Sequence, residues 1–263
     1  MNNYCRRSHV KAEIGKTTTV DDSLILRAQT AASRGIDKML NHPVFSAVDT
    51  RYLDGDGGTS LISPWDIISL SALNLDKNDD GVFETALVES TDYYLYDYNN
   101  DWKWLIKLRR NSFPNAMRSV QLVGRFGYSA MSEDTGQTVQ NATEITAGGT
   151  ALTVVSTDDI DVGEVLVLGT EEVYVSAKTP TGLTIQRAVN GTTAAAHANG
   201  VAISRRRYPE DIEEACRMQV ARFFREKRSG GQMGDAETGG YAFSSMWPAI
   251  RDLLGPHIRH VVG

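Results

Sequence analysis

The chain has 263 residues, of which 41% are hydrophobic and 23% charged, a composition ordinary for a folded globular protein. Its net charge of −6 argues against a protein that grips nucleic acid through a basic surface. The two cysteines, Cys5 and Cys216, favour a reducing compartment over a disulfide framework, and we expect neither a signal peptide nor a membrane span.

Two helices are predicted at the start of the chain. A short one covers 9–14 and ends at Gly15. A longer amphipathic one covers 21–40, and Asn41 and Pro43 stop it. The small residues in the middle of this second helix indicate close packing against another helix.

After Pro43 the hydrophobic period changes to two, which is typical of strands. Short turns separate the apolar segments, so we expect the strands to be antiparallel. The predicted strands cover 44–52, 65–75, 82–88, 93–98, 102–108 and 119–128. Six aromatic residues in this part could stack a sugar or a base, although this spacing more often marks the two faces of a hairpin. They are Tyr93, Tyr94, Tyr96, Tyr98, Trp102 and Trp104.

The segment 135–205 differs in composition, being rich in Thr, Ala, Gly and Val and devoid of Trp and Phe. It predicts a small all-β module with strands near 151–155, 165–168, 173–176 and 183–187. We interpret it as an insertion into the host chain, with its two ends close together at a surface turn.

The strongest helix signal covers 208–228. Pro209 suits its first turn, acidic residues lead and basic residues follow, and this order of charges counteracts the helix macrodipole. One broad apolar face runs along it, which indicates a buried partner surface. The tail beyond the Gly-rich segment 229–240 is apolar, and it could either fold back onto its own domain or dock on a partner.

These elements predict an α+β protein with a helical core and a short antiparallel β part, plus an inserted small all-β domain. The predicted domain boundaries are 1–134 together with 206–263 for the discontinuous host domain, and 135–205 for the inserted module.

The turn DKNDDG at 76–81 is the best candidate for a metal site. Alternating oxygen-bearing side chains followed by Gly81 are typical of a calcium loop. The twelfth position is Leu87, where an EF-hand has a bidentate glutamate. The candidate ligands are Asp76, Asn78, Asp80 and Glu84. The simpler interpretation is an Asx-rich hairpin turn that binds no ion.

The remaining motifs argue against catalysis. No HExxH, paired CxxC, GxSxG or GxxxxGK[ST] pattern occurs, and the histidines near the C-terminus have no acidic neighbour in sequence. We therefore expect no enzyme activity and no cofactor. The basic run Arg205, Arg206 and Arg207 could contact phosphate, but a junction that partly neutralises Glu210 and Asp211 is the simpler interpretation.

Several stretches, in this order, resemble the head–tail connector (adaptor) proteins of tailed bacteriophages. They are YCRRSHVKAEIG at 4–15, VDDSLILRAQTAASRGIDKML at 20–40, RYLDGDGG at 51–58, DKNDDGVFET at 76–85, DYYLYDYN at 92–99, VQLVGRFGYS at 120–129 and YPEDIEEACRMQVARFFREKR at 208–228. The module is similar to a small β unit found in many phage structural proteins, through the stretch 165–185 and the QRAVNGTTAAAHANGVAI that follows at 186–203.

The resemblance implies a structural virion protein, assembled in the host cytoplasm and located at the head–tail interface. Such proteins form a ring, usually dodecameric, that docks beneath the portal, contacts a neck, stopper or tail-completion protein, and lets genomic DNA pass without binding it specifically. It also implies portal docking through the C-terminal segment, for which the candidate anchors are Phe243, Met246, Trp247, Ile250, Leu253 and Leu254. The alternative function is a surface binding module, in which segment 135–205 recognises carbohydrate or another host component.

Overall fold

The computed structural model describes residues 2–228 and 248–258. Across these residues the chain forms twelve strands in two antiparallel six-stranded sheets and four α-helices, which makes it a β-rich fold. The predicted α+β class with a helical core is therefore wrong. The β part is not short, because the strands continue through turns and bulges that the hydrophobic pattern marked as breaks.

The first three helices of the described residues begin and end within two residues of the predicted ranges, and the fourth was not predicted. The helices are α1 (Arg7–Glu13), α2 (Asp22–Leu40), α3 (Glu210–Arg228) and α4 (Pro248–Leu254). Helix α2 ends where Asn41 takes the left-handed conformation, with φ of 63°. Helices α1 and α2 both pack on α3. The buried face of α3 includes Ile212, Cys216 and Val220, as the periodicity predicts.

Contacts divide the chain into two compact units. The helix–module unit comprises Met1–Pro43, Met131–Val189 and Thr193–Gly263, and the sheet unit comprises Val44–Ala130 and Asn190–Thr192. The predicted domain boundaries at 134/135 and 205/206 do not coincide with the limits of these two units, and they stay a prediction.

The sheet unit is built on strands β1 (Ala47–Leu53), β2 (Ser60–Leu75), β3 (Thr85–Leu87), β4 (Tyr93–Tyr96), β5 (Lys103–Leu108) and β6 (Val120–Phe126). Their order is β1-β6-β2-β5-β4, and β3 pairs with β2. Strand β2 keeps its pairing across several register shifts, which the sequence showed only as an interruption at Pro64. Alternating residues of these strands fill one apolar core, which includes Ile67, Leu73, Ile106 and Leu122.

The module in the helix–module unit contains β7 (Ser132–Thr138), β8 (Ala151–Thr153), β9 (Val165–Leu168), β10 (Glu171–Lys178), β11 (Gly182–Gln186) and β12 (Ala202–Arg206). They pair in the order β7-β12-β9-β10-β11-β8. A cluster of buried apolar residues, all between Val139 and Ile203, forms the core of this sheet. Strands β7 and β12 were not predicted from the sequence, because β7 is polar and β12 carries two arginines.

Candidate functional site

The turn 76–81 connects β2 and β3, so its flanks are strands, and its acidic side chains do converge. Carboxylate oxygens of Asp76, Asp80 and Glu84 lie within 4.8 Å of one another. Asp76 is buried, whereas Asp80 and Glu84 are exposed. The fourth predicted ligand, Asn78, donates from its amide to Asp80 Oδ2 at 3.1 Å. The geometry would let three carboxylates reach one cation.

The same carboxylates already accept backbone hydrogen bonds. Asp76 Oδ1 accepts from the N–H of Asp79 at 2.8 Å, and Oδ2 accepts from that of Gly81 at 2.7 Å. Asp80 and Glu84 accept from the backbone of Val82 and Lys77. These bonds are what the Asx-turn interpretation predicts. Calcium binding by this group stays a prediction.

The three consecutive arginines are each paired with carboxylates. Arg206 binds Glu172, whose side chain is fully buried, and Arg207 makes two bonds to Glu213 at 2.6 and 2.9 Å. Glu133 also binds Arg207. Their carboxylate partners include Glu133, Glu172 and Glu213, beyond the predicted Glu210 and Asp211, and contact with phosphate stays a prediction. Alternation along β12 turns Arg205 inward and its neighbours outward.

Arg205 belongs to a partly buried network that connects the start of the chain to the module. The guanidinium of Arg205 lies against the 159–164 loop and donates to the carbonyl of Asp159 at 2.7 Å. Arg6 donates to Glu164 and Asp159, both at 2.8 Å. The backbone N–H of Ser8, at the start of α1, donates to Asp161 at 2.7 Å. The module thus caps the first helix.

The electrostatics of this network follow from burial and the two arginines. Burial raises the pKa of Glu164, and the charges of Arg205 and Arg6 oppose that effect. Burial alone would raise the pKa of Asp159 as well, but the hydrogen bond from Arg6 and the charge of Arg205 lower it. Both carboxylates lie beside guanidinium groups, so the network is a salt-bridge cluster in which Glu164 is largely buried and Asp159 is exposed.

A second buried cluster orders the segment 186–197. Its centre is the carboxylate of Glu171 at the start of β10, with no accessible side-chain surface. Arg187 donates to it from Nε and Nη2 at 2.7 and 2.6 Å, and His197 donates from Nε2 at 2.9 Å. The N–H groups of Ala188 and Ala195 complete the set.

Arg187 uses every N–H that a guanidinium offers. Besides Glu171, it donates to the carbonyls of Thr146, Gly149 and Ala195. Burial alone would raise the pKa of Glu171, but the hydrogen bonds from Arg187 and the backbone lower it to about 2. This cluster was not predicted from the sequence. The co-occurrence of Glu171, Arg187 and His197 in one small module was the signal that could have found it.

The C-terminal residues that the structure describes fold back onto the chain. Helix α4 packs on α3, and Ile250 and Leu254 are completely buried, whereas Leu253 is half-buried. His257 binds Asp211 at 2.5 Å, although the sequence showed no acidic neighbour for it, and its carbonyl accepts from His42 at 2.9 Å. The other predicted anchors, Phe243, Met246 and Trp247, lie outside the described residues.

The aromatic hairpin of the sheet unit has two different faces, as the hairpin interpretation predicts. Tyr93 is buried, while Tyr94 and Tyr96 are half-buried on the opposite side of β4. There the guanidinium of Arg109 lies 5.5 Å from the ring centre of Tyr94, and Lys107 lies 6.0 Å from that of Tyr96.

No protein-family model matches the chain, and no curated protein is significantly similar to it. Among the described residues, no helix is both long and apolar enough to cross a membrane. The only cluster of metal-ligating His, Cys, Asp and Glu side chains found in 2–228 and 248–258 is the one at Asp76.

Proposed function

We propose that the chain is a structural virion protein, the subunit of a head–tail connector ring of a tailed bacteriophage. One observation carries the proposal. The two stretches at opposite ends of the resemblance, 4–40 and 208–228, pack together as α1, α2 and α3 in one unit. A host domain inherited from a common ancestor would keep such family-like stretches in the same order and pack them against one another.

The module fits the same proposal as an inserted element. Its apolar core is formed by its own residues, from Val139 to Ile203, so it can fold around local contacts. The Arg6 and Arg205 network then fixes it to the start of the host chain. The net charge of −6 also suits a ring whose bore passes DNA without retaining it.

Carbohydrate recognition by the module has no specific observation in its favour. The charged and polar side chains at the last loop of the module bind within the protein, because Arg187 and His197 both donate to Glu171. A glycan needs polar groups that can exchange water for ligand, and these three are committed to the protein interior.

Electron microscopy of the purified chain, alone and mixed with its portal protein, tests the proposal. We expect rings with a central channel, formed either by the chain itself or on the portal. A chain that stays monomeric and leaves the portal unbound at micromolar concentration would refute it.

Portal docking through the C-terminal segment is part of the proposal and has its own test. Deleting 229–263 also removes α4 and exposes the surface of α3 that Ile250 and Leu254 cover. A cleaner variant replaces Phe243 and Trp247 by alanine and leaves α4 intact. We expect it to lose portal binding, while Tyr98→Ala, at an exposed aromatic residue of the sheet unit, retains binding.

A further inference from the structure

The two cysteines of the chain meet inside the helix–module unit. Cys5 precedes α1, and Cys216 lies on the buried face of α3, 211 positions further along. Their Sγ atoms are 2.8 Å apart, and both are free thiols. A disulfide has an S–S distance of about 2.0 Å, so the two sulfur atoms need to approach by only about 0.8 Å to bond.

The surroundings hold this pair in place. Gln29 of α2 donates from its amide to the carbonyl of Cys5 at 2.7 Å. Ser33, one turn further, lies 3.6 Å from Cys216 Sγ and accepts from the N–H of Tyr4 at 2.9 Å. The segment before α1 is thus fixed to α2, and its thiol faces α3.

Of the two cysteines, only Cys5 borders the surface. Cys5 lines a surface cleft together with Arg6, His9, Arg207 and Arg217. It also lines a second cleft, whose wall includes Asn3. Its exposed fraction is 7%, against 0% for Cys216. Of the two cysteines, Cys5 is therefore the one that a small reagent approaching from these clefts would reach first.

We infer that Cys5 and Cys216 form a redox-active pair that a low-molecular-weight disulfide converts into an internal disulfide, covalently joining the N-terminal segment to α3. The Cys5 thiolate attacks one sulfur of the reagent, whose S–S bond breaks and releases the first thiolate. Cys216 then loses its proton and attacks the Cys5 sulfur, displacing the second reagent thiolate. Two thiol hydrogens and two electrons pass from the protein to the reagent, which becomes two thiols.

The reaction is expected to be slow. Burial raises the pKa of the Cys5 thiol, so little thiolate is present near neutral pH. Conversion over hours at mildly alkaline pH fits the timescale of such exchange. Because the bond would close a loop of more than 200 residues, oxidation should raise the melting temperature by about 5–10 °C.

Oxidised glutathione added to the folded, full-length, reduced chain provides the test. After quenching with N-ethylmaleimide and tryptic digestion without reductant, we expect peptide 1–6 linked to peptide 208–217, with no glutathione retained. The melting temperature should rise and then return when reductant is added. Two alkylated thiols, or a glutathione adduct that persists on Cys5 of the wild-type chain, would overturn the inference.

Two matched variants test the order of events. Cys216→Ser should stop at a stable glutathione adduct on Cys5, and Cys5→Ser should leave Cys216 unmodified. Reaction of Cys216 in the second variant would refute the proposed path. The wild-type measurement needs neither variant to fold, and it is independent of ring formation.

Discussion

Replacing Glu171 by glutamine is the most direct test of what holds the module together. The change keeps the shape of the side chain but removes its charge and turns one acceptor oxygen into a donor. That donor would face N–H groups of Arg187, Ala188, Ala195 and His197, all of which now point at the carboxylate. The variant therefore leaves a buried guanidinium without its counter-ion.

The structure gives the expected magnitude in two ways. Removing one partner of a buried ion pair costs roughly 3–5 kcal/mol. Independently, the pKa of Glu171 is about 2, against an ordinary value of 4.5, which corresponds to roughly 3 kcal/mol of stabilisation at neutral pH. Both routes predict that Glu171→Gln lowers the free energy of unfolding by about 3 kcal/mol.

Amide hydrogen exchange resolves the effect locally. The N–H groups of Ala188 and Ala195 donate to Glu171, so their protection should fall by about 100-fold in the variant. Glu144→Gln, at an exposed glutamate of the same module, is the control and should leave protection unchanged. Equal protection in the two variants would show that the carboxylate does not hold the segment.

The pH dependence carries a defined sign. The folded state lowers the pKa of Glu171, so its contribution is complete above about pH 4.5 and is lost as the pH falls towards about 2. The difference in the free energy of unfolding between wild type and Glu171→Gln, measured with urea, should therefore decrease as the pH falls from about 4.5 to about 2. A difference that stays constant down to pH 2.5 would contradict the assignment.

Three further predictions concern the turn at Asp76 and helix α4. Asp76→Ala leaves three backbone N–H groups without their acceptor and should cost about 1–3 kcal/mol in urea unfolding, whereas Asp80→Ala at an exposed carboxylate should cost less than half as much. If the turn binds calcium, the ion should raise the melting temperature over that measured in chelator, and Asp76→Ala should abolish the rise; equal temperatures in wild type would exclude binding. Ile250→Ala should destabilise the chain by about 2–5 kcal/mol, because its side chain is completely buried, and a cost no larger than that of half-buried Leu253→Ala would show that α4 leaves α3 in solution.

Features encoded by neighbouring residues could be predicted from the sequence. Helix α3 was predicted within two residues of its start, because Pro209, the charge order and the apolar period all act locally. The turn at 76–81 was also placed correctly between strands, since Asx side chains bond to backbone groups a few positions away. The fold class was wrong because strand length depends on pairing. Strand β2 continues past Pro64 because β5 pairs with it at 60–62 and again at Ile67, from where β6 also pairs with it.

Buried charges explain why the candidate sites were harder to predict. The partners of Arg205 are Asp159 and Glu164, 46 and 41 positions away, and nothing around Arg205 distinguishes it from a solvated arginine. Burying a charged side chain costs too much free energy unless another segment supplies its counter-ion. Which charged residues are buried therefore depends on the tertiary fold. The same reasoning applies to Glu171 and Glu172, which the sequence presents as an adjacent acidic pair. The structure assigns them to different arginines, Arg187 and Arg206, so that one orders the last loop of the module and the other ties β10 to the strand leading into α3.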